Sequence, residues 1–535
     1  MKAAPGRLGQ VLAGVPGMLP TIGRLREYSP GWFRDDLVAG LALTAVLVPV
    51  GMGYAEAVGL PAIAGLYATV AALIAYFLVG PSRILVFGPD SALLPLVAAA
   101  VVPLAGGDPA RAVALAAALA IMAGIVCLAA AAARLGFFTD LLSRPLRVGY
   151  MNGIALTILV GQLPRLLGFS VDADDVVGGV LGLARGIADG ATVPLALLIG
   201  GTSLAVIVGL RRVSSRIPGV LVAVLAAGVV VAAFGLAAEV RVVGEVPRGL
   251  PAIGIPAISW SDLVTLVPSA LAIALISFAD TSVMSHAFAA RRGERVDADR
   301  ELAALGIVNV AAGLVGGFAS SGSATRTPVA EAAGSRTQVT GLIGAGAILL
   351  LLFVAPGLLA PVPATALAAV VISAALSLFD VAGLRRLWRQ RRSELGLALV
   401  AFLAVTLLGA LVGIGVAVGL SLLTFIRRAW RPHDAVLGRV ANYKGYHDIG
   451  RHPEARLVPG LILYRWDAPL FFANADLFRE HVLEIVDHAP PPVRWLAVTS
   501  EPVTDIDTTA ADMLDALITE LARRGVELHF ADMKG

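Results

Sequence analysis

Apolar runs long enough to cross a lipid bilayer recur from about residue 36 to residue 427, and nothing constrains the fold of this chain more. A membrane-crossing helix needs about 20 apolar residues, or fewer where two interrupted helices share the depth. Breaks at charged or Pro/Gly-rich positions place spans near 36–56, 61–80, 89–104, 109–133, 146–168, 192–210, 217–237, 262–285, 298–317, 324–335, 337–355, 364–379, 394–409 and 411–427. About fourteen spans are expected, which makes this a polytopic α-helical membrane protein. Composition agrees: 58% of the 535 residues are hydrophobic, 15% are charged, and the mean hydropathy of +0.84 excludes a soluble globular chain. The 58 glycines suit closely packed and interrupted membrane helices. The single cysteine, Cys127, permits no intrachain disulfide and reads as a buried, inert residue.

Charge placement gives an independent reading of the topology, because cytoplasmic loops are enriched in Lys and Arg. Basic residues follow every second span: Arg83; Arg134, Arg144 and Arg147; Arg211, Arg212 and Arg216; Arg291, Arg292 and Arg295; Arg336; Arg385 to Arg392; Arg427, Arg428 and Arg431. The intervening loops are bare or mixed, such as Gly59 to Ala62, the acidic segment from Asp172 to Asp175, and Pro356 to Pro363. Both termini are then cytoplasmic, in a multi-pass protein of the cell inner (plasma) membrane. The N-terminal segment, residues 1–35, carries Lys2, Arg7, Arg24 and Arg26 but no apolar stretch before Leu37, so no cleavable signal peptide is expected.

Two short stretches break the apolar pattern in a telling way: Phe87-Gly-Pro-Asp-Ser-Ala-Leu-Leu-Pro95 and Ser320-Ser-Gly-Ser-Ala-Thr-Arg-Thr-Pro328. In each, small residues lead into an apolar helix, and Pro89 and Pro328 are expected in first helical turns, where a missing N–H is harmless. A helix start at bilayer depth has unsatisfied N–H donors and the positive end of the helix dipole, so it must be buried in protein or line a cavity. Two such starts facing each other would form a site for a small anion. They fall at the third and tenth spans, the same position in each of two seven-span halves. Seven is odd, so the second half inserts upside down relative to the first, and paired interrupted segments of an inverted repeat point to a transport site.

Beyond Arg431 the composition changes to a cytoplasmic α/β domain. Strand-like runs at Leu461 to Tyr464, Leu470 to Phe472, Trp495 to Val498 and Val526 to Phe530 alternate with amphipathic helices near Ala475 to Val486 and Thr508 to Arg523. The sequence stops at Gly535 just after a strand, where a doubly wound domain usually continues, so the C-terminal part of this domain is expected to be missing.

The motifs Pro49 to Tyr54 (PVGMGY), Gly59-Leu-Pro61, Gly65-Leu-Tyr67, Gly80-Pro-Ser-Arg83 and Gly88-Pro89 resemble, in order and spacing, the signature of the sulfate permease (SulP) family, which includes prestin and pendrin. Phe278-Ala-Asp280, Ala287-Phe-Ala289, Gly316-Gly-Phe318, Ser323 with Arg326-Thr327, and Gly334 with Thr337-Gln338 extend the match. Asp467 to Asn474 and Asp505-Ile-Asp507-Thr508 resemble the STAS domain of the same family. The resemblance implies two inverted seven-span repeats divided into a core (36–134 and 262–355) and a gate (143–237 and 364–430) of a 36–430 transport domain, followed by a STAS domain at 431–535. It also implies a homodimer, an elevator-type movement of core against gate, and an anion held between the starts of helices 3 and 10, with the first and eighth spans completing the pocket.

Individual residues then acquire expected roles. Arg326 lies at membrane depth, where an ionisable group marks a functional site by default, and is expected to attract the anion. Asp280, the acid deep in the eighth span, is the candidate for coupling, because burial and a neighbouring anion both favour its protonated form. Sodium is the second candidate for coupling, with Thr281 and Ser282 beside Asp280. Asp90 is expected to cap its own helix start with its carboxylate turned away from the ligand. Ser91, Ala92, Ser323, Ala324 and Thr325 belong to the anion site, with hydroxyl donors at the serines and threonine, and Tyr54 and Phe87 could wall it. Glu56 reads as an exit-side surface charge, Glu331 as a partner for Arg336, and Asp507 as a helix N-cap. The sequence contains no GxxxxGK[ST] loop, metal-ligand cluster or Ser/His/Asp arrangement, so no cofactor, metal, enzyme activity or nucleic-acid partner is expected. The expected activity is secondary transport of an oxyanion, sulfate first, by proton symport across the lipid bilayer. Bicarbonate or a dicarboxylate such as fumarate, and an anion channel or sensor, are the alternatives.

Overall fold

The computed structural model describes residues 28–531 except 137–142, 172, 174–175, 214–217, 251, 293–295, 324, 442 and 491. The expectations for Lys2, Arg7, Arg24, Arg26, Asp172, Asp175, Arg216, Ala324 and Arg295, and for the side chains of Arg291 and Arg292, therefore lie outside the described residues. The chain divides into two compact units, one reaching Val418 and the other starting at Gly419.

The first unit is helical. Its first half contains α1 (Trp32–Ala57), α2 (Ala62–Val79), a short strand β1 (Phe87–Pro89), a 3-10 turn (Ser91–Leu93) leading into α3 (Leu94–Ala105), α4 (Pro109–Ala132), α5 (Arg144–Leu166), α6 (Val176–Ala188), α7 (Pro194–Val213) and α8 (Gly219–Ala233). Its second half contains α9 (Trp260–Arg292), α10 (Ala298–Leu314), β2 (Ser320–Gly322), α11 (Arg326–Ala332), α12 (Val339–Val354), α13 (Ala364–Leu378), α14 (Val381–Gln390), α15 (Arg392–Leu408) and α16 (Ala410–Trp430), the last crossing the boundary between the units. Each expected span overlaps a helix. By length and composition, 8 helical stretches among the described residues suffice to cross a membrane alone. The others are shorter, as interrupted helices sharing the bilayer depth must be.

One expectation is corrected, and two helices are new. Pro89 is not in a first helical turn but in β1, which pairs antiparallel with β2 in the register Phe87 to Gly322, Gly88 to Ser321 and Pro89 to Ser320. Proline is tolerated there because a strand with one neighbour has a side that needs no donor. Pro95, at the beginning of α3, takes the helix-start position instead. The helices α6 and α14 were not foreseen: α6 is short and α14 (VAGLRRLWRQ) alternates apolar and basic residues, so neither stands out as a span.

The packing is matched between the halves. α4 packs on α10 as α12 packs on α2, and α5 packs on α15 as α13 packs on α7, while α5 and α13 meet each other. Close approach depends on glycine: a Cβ on Gly65 would lie 1.8 Å from the carbonyl oxygen of Gly51, so α1 and α2 touch backbone to backbone. Gly65→Val is therefore expected to force α1 and α2 apart and destabilise the protein by at least about 1–3 kcal/mol. Thermal melting of the detergent-solubilised protein followed by size-exclusion chromatography would show it, and an unaltered midpoint would contradict this packing.

Buried carboxylates fasten the unit. Glu301 of α10 accepts hydrogen bonds from Tyr76 Oη (2.9 Å), Ser285 Oγ (2.8 Å) and Ser82 Oγ. Asp36, fully buried in the first turns of α1, accepts from Arg336 N (2.7 Å), Thr337 N (3.1 Å), Thr337 Oγ1 (2.7 Å) and Thr340 Oγ1 (2.9 Å). Arg336 turns its guanidinium to Asp35 at 3.1 Å, not to Glu331. Glu56 is half-buried, within electrostatic range of Arg165 and Arg241, rather than a free surface charge. Cys127 is buried.

The second unit is a mixed sheet of β3 (Asp434–Arg439), β4 (Tyr446–Asp448), β5 (Leu461–Trp466), β6 (Trp495–Thr499) and β7 (Glu527–Ala531), in the order β4-β3-β5-β6-β7. β5, β6 and β7 run parallel, and β3 pairs antiparallel with β4 and β5. The helices α17 (Ala475–His488) and α18 (Thr508–Arg523) cover a core built on Tyr464, Trp466, Phe478, Val498 and Leu517. Leu470 to Phe472 is not a strand: it contributes a single bridge, Leu470 to Ile506. Asp507 is the expected N-cap, accepting from Ala510 N at 2.8 Å, and its other oxygen accepts from Phe472 N at 2.8 Å. Burial, with the hydrogen bond that Tyr464 donates to Asp434 (2.7 Å), raises the Tyr464 hydroxyl well above the ordinary tyrosine range.

Candidate functional site

The two interrupted stretches meet through the β1–β2 pair, so the starts of α3 and α11 lie side by side deep in the helical unit. Each turns from extended backbone into helix because its small residues, Gly88 and Gly322 among them, allow the strands to approach other side chains. A Cβ on Gly88 would lie 3.0 Å from Arg326 Nη1, and one on Gly322 would lie 3.1 Å from Thr281 Oγ1. The pair is tied further by Ser323 N donating to Val86 O (2.9 Å) and Val86 N donating to Thr327 Oγ1 (3.1 Å).

Arg326, the first residue of α11, points back across this junction. It is only 1% exposed, donates from Nη2 to the Gly88 carbonyl at 3.3 Å, and has Asp90 Oδ2 at 3.6 Å from the same nitrogen. Its Nη1 has no hydrogen-bond partner among the described residues. A buried N–H of a guanidinium without an acceptor is costly, and an anion would satisfy it.

Asp90 does cap the 3-10 turn, with Oδ1 accepting from Ala92 N at 3.1 Å, but its second oxygen faces Arg326 rather than away from it. Ser323 also interacts with Asp90, and its Oγ accepts from Arg326 N at 3.3 Å and lies 3.3 Å from Thr325 Oγ1. Ser91, Ala92 and Ser323 are buried, whereas Thr325 is exposed. The buried Tyr54 of α1 lies within electrostatic range of Asp90 and Arg326 and interacts with Ser91. Phe87 is also buried, but its ring stacks on Tyr76 with centroids 3.9 Å apart. Ala324 lies outside the described residues.

Asp280 of α9 is half-buried and has neither hydrogen bond nor ion pair among the described residues. It is not the partner of Arg326. It lies instead within electrostatic range of Asp90 and of Arg147 of α5. Its neighbours Thr281 and Ser282 are engaged: Thr281 Oγ1 accepts from Gly322 N at 3.1 Å, and Ser282 Oγ lies 3.3 Å from His286 Nδ1. Tyr150 of α5, fully buried with its hydroxyl unpartnered among the described residues, also lies within range of Asp280. Arg147 and Tyr150 were not foreseen as site residues. Their three-residue spacing puts them on one face of α5, a signal that reading Arg147 only as a cytoplasmic loop charge obscured.

The family model described as the sulfate permease family matches residues 33–401, and the STAS domain model matches residues 452–535. A probable sulfate transporter of Mycobacterium tuberculosis is 45% identical over 521 residues, covering 97% of this chain and 92% of that protein. A probable sulfate transporter of Arabidopsis thaliana is 30% identical over 516 residues, covering 93% and 76%. Among solved structures, the murine solute carrier 26 family member A9 anion transporter in its inward-facing state superposes with a TM-score of 0.89 at 22% identity, covering 100% of this chain and 90% of that one. The transmembrane domain of a cyanobacterium bicarbonate transporter gives 0.65 at 23% identity, covering 72% and 98%. At those identities the likeness is one of fold alone, and the sequence matches carry the family. This chain belongs to the sulfate permease family and carries its STAS domain.

Proposed function

We propose that the protein is a secondary active transporter of a small inorganic oxyanion, sulfate first, coupled to proton symport. The observation that carries this reading is the buried guanidinium of Arg326, with one nitrogen unpartnered among the described residues, where two interrupted segments meet. In this reading Ser91, Ser323, Thr325 and Tyr54 are the hydroxyl donors of the site. Sulfate is favoured because the relatives matched over most of the chain are named sulfate transporters.

Asp280 is the proton carrier in this reading, being half-buried and without a fixed partner among the described residues. Sodium is disfavoured because Thr281 and Ser282 already have partners. The core is residues 36–134 and 262–355, the gate 143–237 and 364–430, and the STAS domain 431–535. The matched packing of the two halves supports a core that moves against a gate, and the basic ends of α7 and α16 support cytoplasmic termini; a plasma-membrane homodimer is part of the same reading and rests on the family resemblance.

The test is uptake of labelled sulfate into proteoliposomes under an imposed inward proton gradient, with bicarbonate and fumarate as competitors. Saturable, gradient-stimulated uptake is expected, and currents that do not saturate would assign a channel instead. Asp280→Asn is expected to weaken the stimulation by the gradient in a protein that still binds sulfate. Stimulation at the full wild-type level in that variant would remove Asp280 from coupling.

A further inference from the structure

We propose that Asp90 is a second proton-carrying carboxylate: an arriving anion takes its place at Arg326, and Asp90 accepts a proton from solution as it yields. The inference rests on the anion-transport reading above and assigns a role to a residue otherwise explained as a helix cap.

Geometry motivates it. The two oxygens of Asp90 do different things, Oδ1 accepting from Ala92 N at 3.1 Å and Oδ2 lying 3.6 Å from Arg326 Nη2. That second contact is longer than a hydrogen bond of about 2.7–3.2 Å, so it is a charge contact that can be surrendered without breaking the cap. Asp90 acts as a tethered anion beside the arginine while the site is empty. A free anion approaching Nη1 and Nη2 meets the Asp90 carboxylate at the same guanidinium, and two like charges in a weakly screened interior repel strongly.

The charges facing Asp90 can be named element by element. Arg326 comes from α11, Tyr54 from α1, and Asp280 from α9, with Arg147 and Tyr150 of α5 facing Asp280 from beyond. The helix α13 also packs against the 3-10 turn but has no titratable residue. Two arginines and two carboxylates make the empty group neutral overall. A dianion leaves it two charges negative, and one proton on each carboxylate restores neutrality. The bonds made are O–H bonds at Asp90 and Asp280, and the bonds broken are one O–H bond in each of two hydronium ions of the solution, which become water.

Asparagine keeps a side-chain carbonyl that can cap Ala92 N, so Asp90→Asn removes the charge but not the helix start. The experiment uses full-length protein in detergent. Sulfate binding is measured by calorimetry at several pH values between about 6 and 8, and proton uptake by an indicator dye in weak buffer. Wild type is expected to take up about two protons per sulfate bound, and Asp90→Asn about one, with its apparent affinity falling about tenfold less per pH unit. At the alkaline end Asp90→Asn should bind sulfate more tightly than wild type. An Asp90→Asn protein with the melting temperature, proton count and pH slope of wild type would overturn the proposal and leave Asp90 a cap. Wild-type protein that binds sulfate with no proton uptake at all would overturn the symport reading along with it, a result distinct from the first.

Discussion

Arg326→Ala is expected to lower sulfate uptake at low sulfate concentration by about a hundredfold, the loss of a charge-assisted contact of about 3 kcal/mol. The side chain is nearly inaccessible, and among the described residues its polar contacts across the junction are the Gly88 carbonyl and Asp90. Neither contact uses Nη1, so the substitution removes the donor that the site presents to a ligand. It also leaves the half-buried Asp90 without its cation, and an uncompensated charge away from bulk water is destabilising. The double variant Arg326→Ala with Asp90→Asn removes that second effect, and is expected to fold while still failing to transport. Arg326→Lys should restore part of the uptake, since an ammonium keeps the charge but not the planar pair of donors. Gly88→Ala perturbs the same group from outside, because its Cβ would sit 3.0 Å from Nη1 and push the guanidinium aside. Uptake and apparent affinity unchanged in a well-folded Arg326→Ala protein would remove the arginine from the site.

The sequence made the spans and the position of the two helix starts legible because both leave one-dimensional traces: long apolar runs, and small residues interrupting them. Pairing did not show. A three-residue strand such as β1 has no period to detect, and Pro89 beside Ser91 looks like a helix start whether or not a strand precedes it. Asp90 illustrates a related limit. Its capping role follows from local spacing, whereas its approach to Arg326 joins residues 236 positions apart and depends on the β1–β2 register. In the second unit the parallel strands and both helices announced themselves by alternation and amphipathic spacing, but the short β3 (DAVLGR) and the three-residue β4 at the sheet edge carry too little alternation to detect and did not. The buried acids were the least visible of all. Nothing local distinguishes Asp36 from Asp35, yet one is enclosed by donors and the other forms an exposed pair.

That difference sets up a test of what holds α1 against the second half of the unit. Asp36→Ala is expected to destabilise the full-length protein by about 3–5 kcal/mol, because removing one partner strands every donor that pointed at it. Three of these come from the turn between α11 and α12, the amides of Arg336 and Thr337 and the Thr337 hydroxyl, and a fourth, the Thr340 hydroxyl, from the first turn of α12. Tyr28 Oη adds a longer contact at 3.3 Å. Gly334, whose φ of +97° favours glycine, makes the turn that brings these donors round. The anchorage also bears on function, since α1 carries Tyr54 and α11 carries Arg326, so a loosened turn should weaken sulfate uptake as well as stability. Asp36→Asn retains one acceptor oxygen and is expected to lose roughly half as much. Arg336→Ala serves as the control, because it deletes only the exposed ion pair to Asp35, worth about 0–1 kcal/mol, and keeps the backbone amide that Asp36 uses. Thermal melting of the three variants in detergent ranks them: Asp36→Ala should melt lowest, and a midpoint no lower than that of Arg336→Ala would show that the buried carboxylate is not what fastens α1.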